Sequence, residues 1–96
     1  MKSLDELFSM KDKIVLITGG AGYLGKSMCE SLSELGATII IASRNKSKCE
    51  AYADMLKKKY GIRSVGVKLD ITKKESIDII FEYIKSEFSR LNVLIN

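Results

Sequence analysis

The sequence has no histidine, no proline and no tryptophan, and only two cysteines among its 96 residues. Without histidine there is no Ser-His-Asp or Cys-His nucleophile and no imidazole ligand for a metal. Cys29 and Cys49 are too few and too widely spaced for a zinc cluster or a C-x-x-C redox pair. Long hydrophobic runs are also missing, and none approaches the ~18 residues of a membrane-spanning helix. The first thirteen residues carry Lys2, Asp5, Glu6, Lys11 and Asp12 without an apolar stretch, so they do not read as a secretory signal. These absences lead to the expectation of a reduced, cytoplasmic protein with no membrane segment and no metal.

Apolar residues make up 46 % and charged residues 29 %, the balance of a globular chain. At this length the chain is one domain at most. The formal net charge is +4, but the lysines are spread along the sequence. Their one dense run, Lys57-Lys58-Lys59, falls at the end of an expected helix, where cations are favoured by the helix dipole. Aromatic residues do not interleave with the basic ones as a base-stacking surface requires. No nucleic-acid partner is expected.

Short apolar runs alternate with helical patterns. Residues 14–17, Ile-Val-Leu-Ile, read as a strand buried on both faces. Leu24, Met28, Leu32 and Leu35 recur at helical spacing, and Gly36 stands where a helix-terminating glycine belongs. Residues 37–42 repeat the buried-strand pattern. Cys49, Ala53, Leu56 and Tyr60 form a second helical stripe closed by Gly61. Ser47 and Glu50 have capping-box spacing, with Asn45 as the other candidate cap. Residues 62–69 alternate, placing Val65, Val67 and Leu69 on one face. Thr72 and Glu75 suggest a second capping box, and Ile77, Ile80, Phe81, Ile84 and Phe88 the buried face of a third helix. Residues 91–95 begin a fourth strand. The order β-α-β-α-β-α-β predicts an α/β fold, a Rossmann-type doubly wound parallel sheet with right-handed crossovers. Asn96 follows the apolar run with no turn or cap, so the sequence is expected to be a fold truncated at its fourth strand. It would be the N-terminal part of a dinucleotide-binding domain, preceded by a lead-in at 1–12.

Gly20-Ala21-Gly22-Tyr23-Leu24-Gly25 is a G-x-G-x-x-G run placed directly after a strand and opening a helix. In a βαβ unit that placement serves a pyrophosphate. One glycine makes the tight turn, the next admits the phosphate to the backbone, the third lets helix pack on strand, and the helix N-terminus offers N–H groups to the anion. Residues 20–27, Gly-Ala-Gly-Tyr-Leu-Gly-Lys-Ser, also satisfy the P-loop pattern, with Asp70 as the acidic partner of a magnesium ion. The P-loop is the alternative reading.

A dinucleotide-binding unit reads its adenosine ribose at the end of the second strand, where a carboxylate selects NAD and an arginine accommodates the 2′-phosphate of NADP. Here that strand ends Ile41-Ala42-Ser43-Arg44-Asn45, with no carboxylate. Ser43 can donate a hydrogen bond and Arg44 can grip a phosphate with its planar fork, so the expected cofactor is NADP, with NAD the alternative. Asp70, at the end of the third strand, either accepts from an adenine amino group or caps the following helix.

Four segments in this order, Thr18-Gly19-Gly20-Ala21-Gly22-Tyr23-Leu24-Gly25, Ala42-Ser43-Arg44-Asn45, Leu69-Asp70-Ile71-Thr72 and Leu91-Asn92-Val93-Leu94-Ile95-Asn96, resemble the short-chain dehydrogenase/reductase family. The lead-in around Leu7 to Lys13 is similar to that of bacterial members of the gluconate 5-dehydrogenase or 3-oxoacyl-carrier-protein reductase kind. The resemblance implies that Gly19, Gly22 and Gly25, with Tyr23 and Leu24, form the cofactor turn. It implies that Ser43 and Arg44 face the adenosine 2′-phosphate and that Asp70 and Ile71 face the adenine. Asn96 matches the first asparagine of the family's N-N-A-G stretch.

The family's catalytic Tyr, Lys and Ser lie after the fourth strand, and no Y-x-x-x-K occurs here, so no catalytic residue is expected within the 96. The implied function is hydride transfer between NADPH and a carbonyl or alcohol of a small-molecule substrate, in a homo-oligomeric parent. Tyr23 departs from the classical T-G-x-x-x-G-x-G pattern, and the spacing T-G-x-x-G-x-x-G is similar to that of the extended branch of nucleotide-sugar epimerases and dehydratases. A fragment of that branch, or a non-catalytic dinucleotide-binding module, are the alternatives. Asn92 stands where the family more often has aspartate, a change expected to matter little.

Overall fold

A computed structural model describes residues 9–19 and 23–96. The β-branched runs form strands β1 (Ile14–Thr18), β2 (Thr38–Ser43), β3 (Ser64–Lys68) and β4 (Val93–Ile95). Between them lie helices α1 (Tyr23–Glu34), α2 (Lys46–Tyr60) and α3 (Lys74–Phe88). The four strands form one parallel sheet in the order β3-β2-β1-β4. Ile14 pairs with Thr38 and Thr18 with Ala42 across β1 and β2, while Val15 pairs with Val93 and Ile17 with Ile95 across β1 and β4.

Period-two alternation sends the side chains of the central strands to two cores. Val15, Ile17, Ile39 and Ile41 pack with Cys29 of α1 and with Cys49, Ala53 and Leu56 of α2. Ile14, Leu16, Ile40 and Ala42 pack on the other face with Ile80, Ile84 and Phe88 of α3. Helices therefore cover both faces, as a doubly wound sheet requires. Leu69 is buried in the α3 layer and Val65 and Val67 pack beside it, so the alternation expected for residues 62–69 holds. On the opposite face of β3, Gly66 lets the α2 backbone approach so closely that a Cβ there would overlap Cys49 and Glu50.

Several local expectations are corrected. The cap of α2 is Asn45, whose side chain accepts from the Lys48 amide at 3.1 Å, rather than Ser47. The α3 N-cap position is Lys73, with no side-chain cap. Thr72 lies one residue before that position, and its amide and hydroxyl both donate to Asp70 in the preceding turn. Phe81 is 46 % exposed, since α3 turns Ile80, Ile84 and Phe88 to the sheet. In α1 the side chains of Cys29 and Ser33 are fully buried, while Met28 and, just past the helix end, Leu35 are exposed. Gly61 does close α2, in the left-handed conformation (φ 67°) with its amide donating to Lys57 O at 2.9 Å. The Lys57-Lys58-Lys59 run occupies the last turn of α2. There Lys58 pairs with Asp54 at 2.9 Å and Lys59 with Glu30 at 3.0 Å.

Candidate functional site

Parallel pairing brings the C-terminal ends of all four strands to one edge of the sheet, where open α/β folds take ligands. β1 hands over to Gly19, whose left-handed backbone (φ 69°) strains any residue with a Cβ. Its amide donates to Ala42 O of β2 at 3.2 Å, which fixes the exit direction of the chain. Gly20, Ala21 and Gly22 lie outside the described residues, as do the side chains of Tyr23 and Leu24. The chain is helical again from Tyr23, with Gly25 in the first turn of α1. The glycine turn is thus bounded on both sides by the strand and helix that the pyrophosphate reading demands.

At the end of β2 the backbone turns tightly into α2. The Asn45 amide donates to Ser43 Oγ at 3.2 Å, and Cys49 Sγ lies 2.9 Å from the same oxygen. Asn45 Oδ1 then holds the Lys48 amide at 3.1 Å and Asn45 O accepts from the Cys49 amide at 3.2 Å. Arg44 sits at the tip of this turn, exposed, and no salt bridge ties it down among the described residues. The sequence singled out Ser43 and Arg44. It gave no sign that Cys49 would reach back to Ser43, because nothing in a residue type six positions away announces that contact.

The end of β3 lies beside this turn, for the Leu69 amide donates to Ser43 O at 2.8 Å. Asp70 follows. Its Oδ1 accepts from the Thr72 amide at 3.0 Å and the Thr72 hydroxyl at 2.6 Å, and its own amide donates to Ser76 Oγ at 2.9 Å. The Thr72 hydrogen bonds hold the Asp70 carboxyl below the usual carboxylate range, with a smaller contribution from the positive charges of Lys73 and Arg44. Asp70 is therefore a carboxylate at neutral pH that accepts hydrogen bonds and donates none, with its second oxygen free of these bonds. The side chain closes its own turn and does not cap α3.

The fourth strand end meets the first. Thr18 Oγ1 lies 3.3 Å from Asn96 Oδ1 and 3.4 Å from Ile95 O. Asn96 and Ile71 border one small apolar cavity of about 170 Å³ together with Leu16, Leu69, Phe81 and Leu94. Ile71 is 72 % exposed, which leaves its side chain on the rim. The structure thus sets Gly19, Ser43, Arg44, Asp70, Ile71 and Asn96 along one edge of the sheet. Tyr52 and Tyr60 lie away from it, between α1 and α2. Tyr52 Oη donates to Lys26 O at 3.1 Å and Tyr60 Oη to Glu30 at 3.2 Å. Burial raises the Tyr52 hydroxyl to about 12, with further contributions from Cys29, Glu30 and Tyr60, as befits a packing residue.

Comparison with known proteins gives a consistent picture. The profile of the family described as short chain dehydrogenase matches residues 13–96. The chain is 30 % identical over 87 residues to a 3-oxoacyl-(acyl-carrier-protein) reductase of Aquifex aeolicus, covering 91 % of this chain and 35 % of that protein. It is 32 % identical over 95 residues to an NAD-dependent glycerol dehydrogenase of Listeria innocua, covering 99 % of this chain and 36 % of that protein. Among solved structures, the L-sorbose reductase of Gluconobacter frateurii, complexed with NADPH and L-sorbose, superposes with a TM-score of 0.87 at 28 % identity, covering 93 % of this chain and 34 % of that one. The chain spans about a third of the length of the curated relatives it matches.

Proposed function

The chain belongs to the short-chain dehydrogenase family, and on that premise we propose that it is the cofactor-holding part of an NADP-dependent oxidoreductase acting on a carbonyl or alcohol. This reading replaces the P-loop interpretation of residues 20–27. The observation that carries it is the end of β2. An exposed Arg44, tied by no salt bridge among the described residues, stands there in place of a ribose-binding carboxylate, on the sheet edge where Gly19 opens the glycine turn. The NADPH bound in the L-sorbose reductase supports it. The NAD dependence of the Listeria relative makes the choice of cofactor a property to be read from this chain's own residues.

The residues present fit the group. Gly19, Gly22 and Gly25, with Tyr23 and Leu24, would hold the pyrophosphate against the α1 N-terminus. Ser43 and Arg44 would take the 2′-phosphate, Asp70 and Ile71 the adenine, and Asn96 the inner side of the site. Asp70 suits an exocyclic amino group because, as a carboxylate, it accepts hydrogen bonds. When bound, the nicotinamide supplies the hydride chemistry. The residues named here bind and orient the cofactor, and none of them is proposed to move a proton. Both thiols are free and buried, which supports a reducing compartment, the cytoplasm.

The test is a calorimetric titration of the full-length protein that carries this chain with NADPH and NADH. NADPH is expected to bind at least roughly tenfold tighter, and Arg44→Ala to remove most of that difference, as loss of a charge-assisted fork to phosphate should. Tighter NADH binding by the unaltered chain overturns the reading.

A further inference from the structure

The turn after β2 holds more chemistry than phosphate reading by Arg44 requires. Ser43 Oγ has three polar neighbours. The Asn45 amide donates to it at 3.2 Å, Cys49 Sγ lies at 2.9 Å, and Asn45 O lies at 3.4 Å. A serine hydroxyl has one proton to give and room to accept two. The Asn45 amide fills one acceptor position without ambiguity, because a backbone N–H can only donate. Cys49 is fully buried, so its S–H has no water to turn to. The Ser43 oxygen at 2.9 Å is the polar partner the structure gives its sulfur. With the thiol donating, both acceptor positions of Ser43 are occupied and only its O–H remains. The nearest carbonyl for that proton, Asn45 O, is at the long limit of a hydrogen bond and already accepts the Cys49 amide at 3.2 Å.

Resting on the NADP reading above, we propose that Cys49 is a positioning residue for cofactor selectivity. Its buried thiol donates to Ser43 Oγ and thereby presents the Ser43 hydroxyl as an obligate donor toward the 2′-phosphate. A phosphate oxygen is an anionic acceptor and binds such a donor more strongly than the neutral hydroxyl of an unphosphorylated ribose. Cys49 touches no ligand itself. It acts through one atom of Ser43, and it does so from the helix that the same turn begins.

The experiment uses calorimetry on the full-length protein that carries this chain, with adenosine 2′,5′-bisphosphate and adenosine 5′-monophosphate as probes. The unaltered chain is expected to bind the bisphosphate at least roughly tenfold tighter than the monophosphate. Cys49→Val keeps the apolar bulk but has no S–H, and is expected to cost about three- to tenfold in bisphosphate affinity while leaving the monophosphate unchanged. Cys49→Ser restores a donor and should recover most of the loss. In a Ser43→Ala background Cys49→Val should cost nothing further, because the atom it acts through is gone. Equal losses for both probes, or a loss that persists in the Ser43→Ala background, overturn the assignment in favour of simple packing. If Cys49→Val fails to fold, the comparison of Cys49→Ser with the unaltered chain decides, since loss of discrimination there contradicts a donor role. A chain with no preference for the bisphosphate refutes the NADP reading itself. A preference that Cys49 does not affect refutes this inference alone.

Discussion

Gly66 of β3 runs directly beneath Cys49 of α2, with no room for a side chain between them. A Cβ built on Gly66 would overlap the Cys49 carbonyl carbon and the Glu50 amide nitrogen, both backbone atoms that cannot swing away. The α2 helix must therefore lift off the sheet to admit even one methyl group. Gly66→Ala is expected to destabilise the fold by about 2–3 kcal/mol, the upper range of overpacking costs. Urea unfolding measures this, and a loss below ~1 kcal/mol would show that α2 shifts more freely than its packing implies.

Two candidate caps for α2 can be separated by mutation. Asn45 Oδ1 holds the Lys48 amide at 3.1 Å, and the capping position is Asn45. Asn45→Ala should cost about 1 kcal/mol, the ordinary value of an N-cap. Ser47 lies inside the helix and is exposed, so Ser47→Ala should be close to neutral. Thermal unfolding of the two variants side by side tests this, and equal losses would contradict the assignment.

Asn92 ties the start of β1 to the approach of β4. Its Oδ1 accepts from the Ile14 amide at 2.8 Å and from Arg90 Nε at 3.3 Å, while its own amide donates to Ile14 O at 2.9 Å. Among the described contacts only the acceptor oxygen of the side chain is used, and an aspartate carboxylate offers the same acceptor. Asn92→Asp is expected to keep stability within ~0.5 kcal/mol, whereas Asn92→Ala leaves the Ile14 amide without its partner and should cost about 1–2 kcal/mol. A loss in the aspartate variant as large as in the alanine variant would mean that the amide nitrogen matters too.

The contact between α1 and α2 carries a pH signature. Lys59 Nζ and Tyr60 Oη donate to Glu30 Oε1 at 3.0 and 3.2 Å. The Lys59 hydrogen bond, then that of Tyr60, holds the Glu30 carboxyl below its ordinary 4.5, and the Glu30 hydrogen bond raises Lys59 above 10.5. A carboxyl lowered by folding contributes above its unfolded value and loses that contribution as pH falls through its folded one. An ammonium raised by folding contributes below its unfolded value and loses it as pH rises through its folded one. The tie therefore works across the neutral range and fades at both ends. Tm measured against pH should show Glu30→Gln below the unaltered chain near neutrality, with the gap closing below about pH 4. A gap that is constant with pH would assign the effect to packing of the Glu30 stem. High salt should narrow the neutral gap, because both groups are exposed at the surface.

How much of this could be read in advance depends on the kind of interaction. β1 and β2 were legible because strands buried on both faces must be unbroken runs of Ile, Val and Leu. The strand and the helix that flank the glycine run were legible for a similar reason, since glycines at those spacings mark a tight turn between a strand and a helix. The turns were less so. Thr72 has the spacing of a cap, but it closes a turn on the Asp70 carboxylate and the helix begins one residue later, with Lys73 at the capping position. Periodicity placed Phe81 on the inner side of α3 without revealing that it borders a cavity with Leu94 at the margin of the sheet rather than the sheet centre. Ser43 and Arg44 stood out by the absence of a carboxylate. Cys49 and Gly66 did not stand out, because their roles are set by how closely α2 approaches β2 and β3, a tertiary distance with no local pattern.

The strand order has a consequence for how the chain is made. β1 emerges first yet lies between β2 and β4, so one of its edges waits for a partner that comes much later. The bond from Ile14 to Asn92 spans 78 residues. At translation rates of ~5–20 residues per second, the unpaired edge of Ile14–Thr18 stands open for roughly 4–15 s after the strand itself is complete. During that interval a ribbon of apolar, β-branched residues is available to any other strand nearby. Nascent copies held close together on one message are thus a setting in which β1 can mispair, and wider spacing of ribosomes along the message should reduce it.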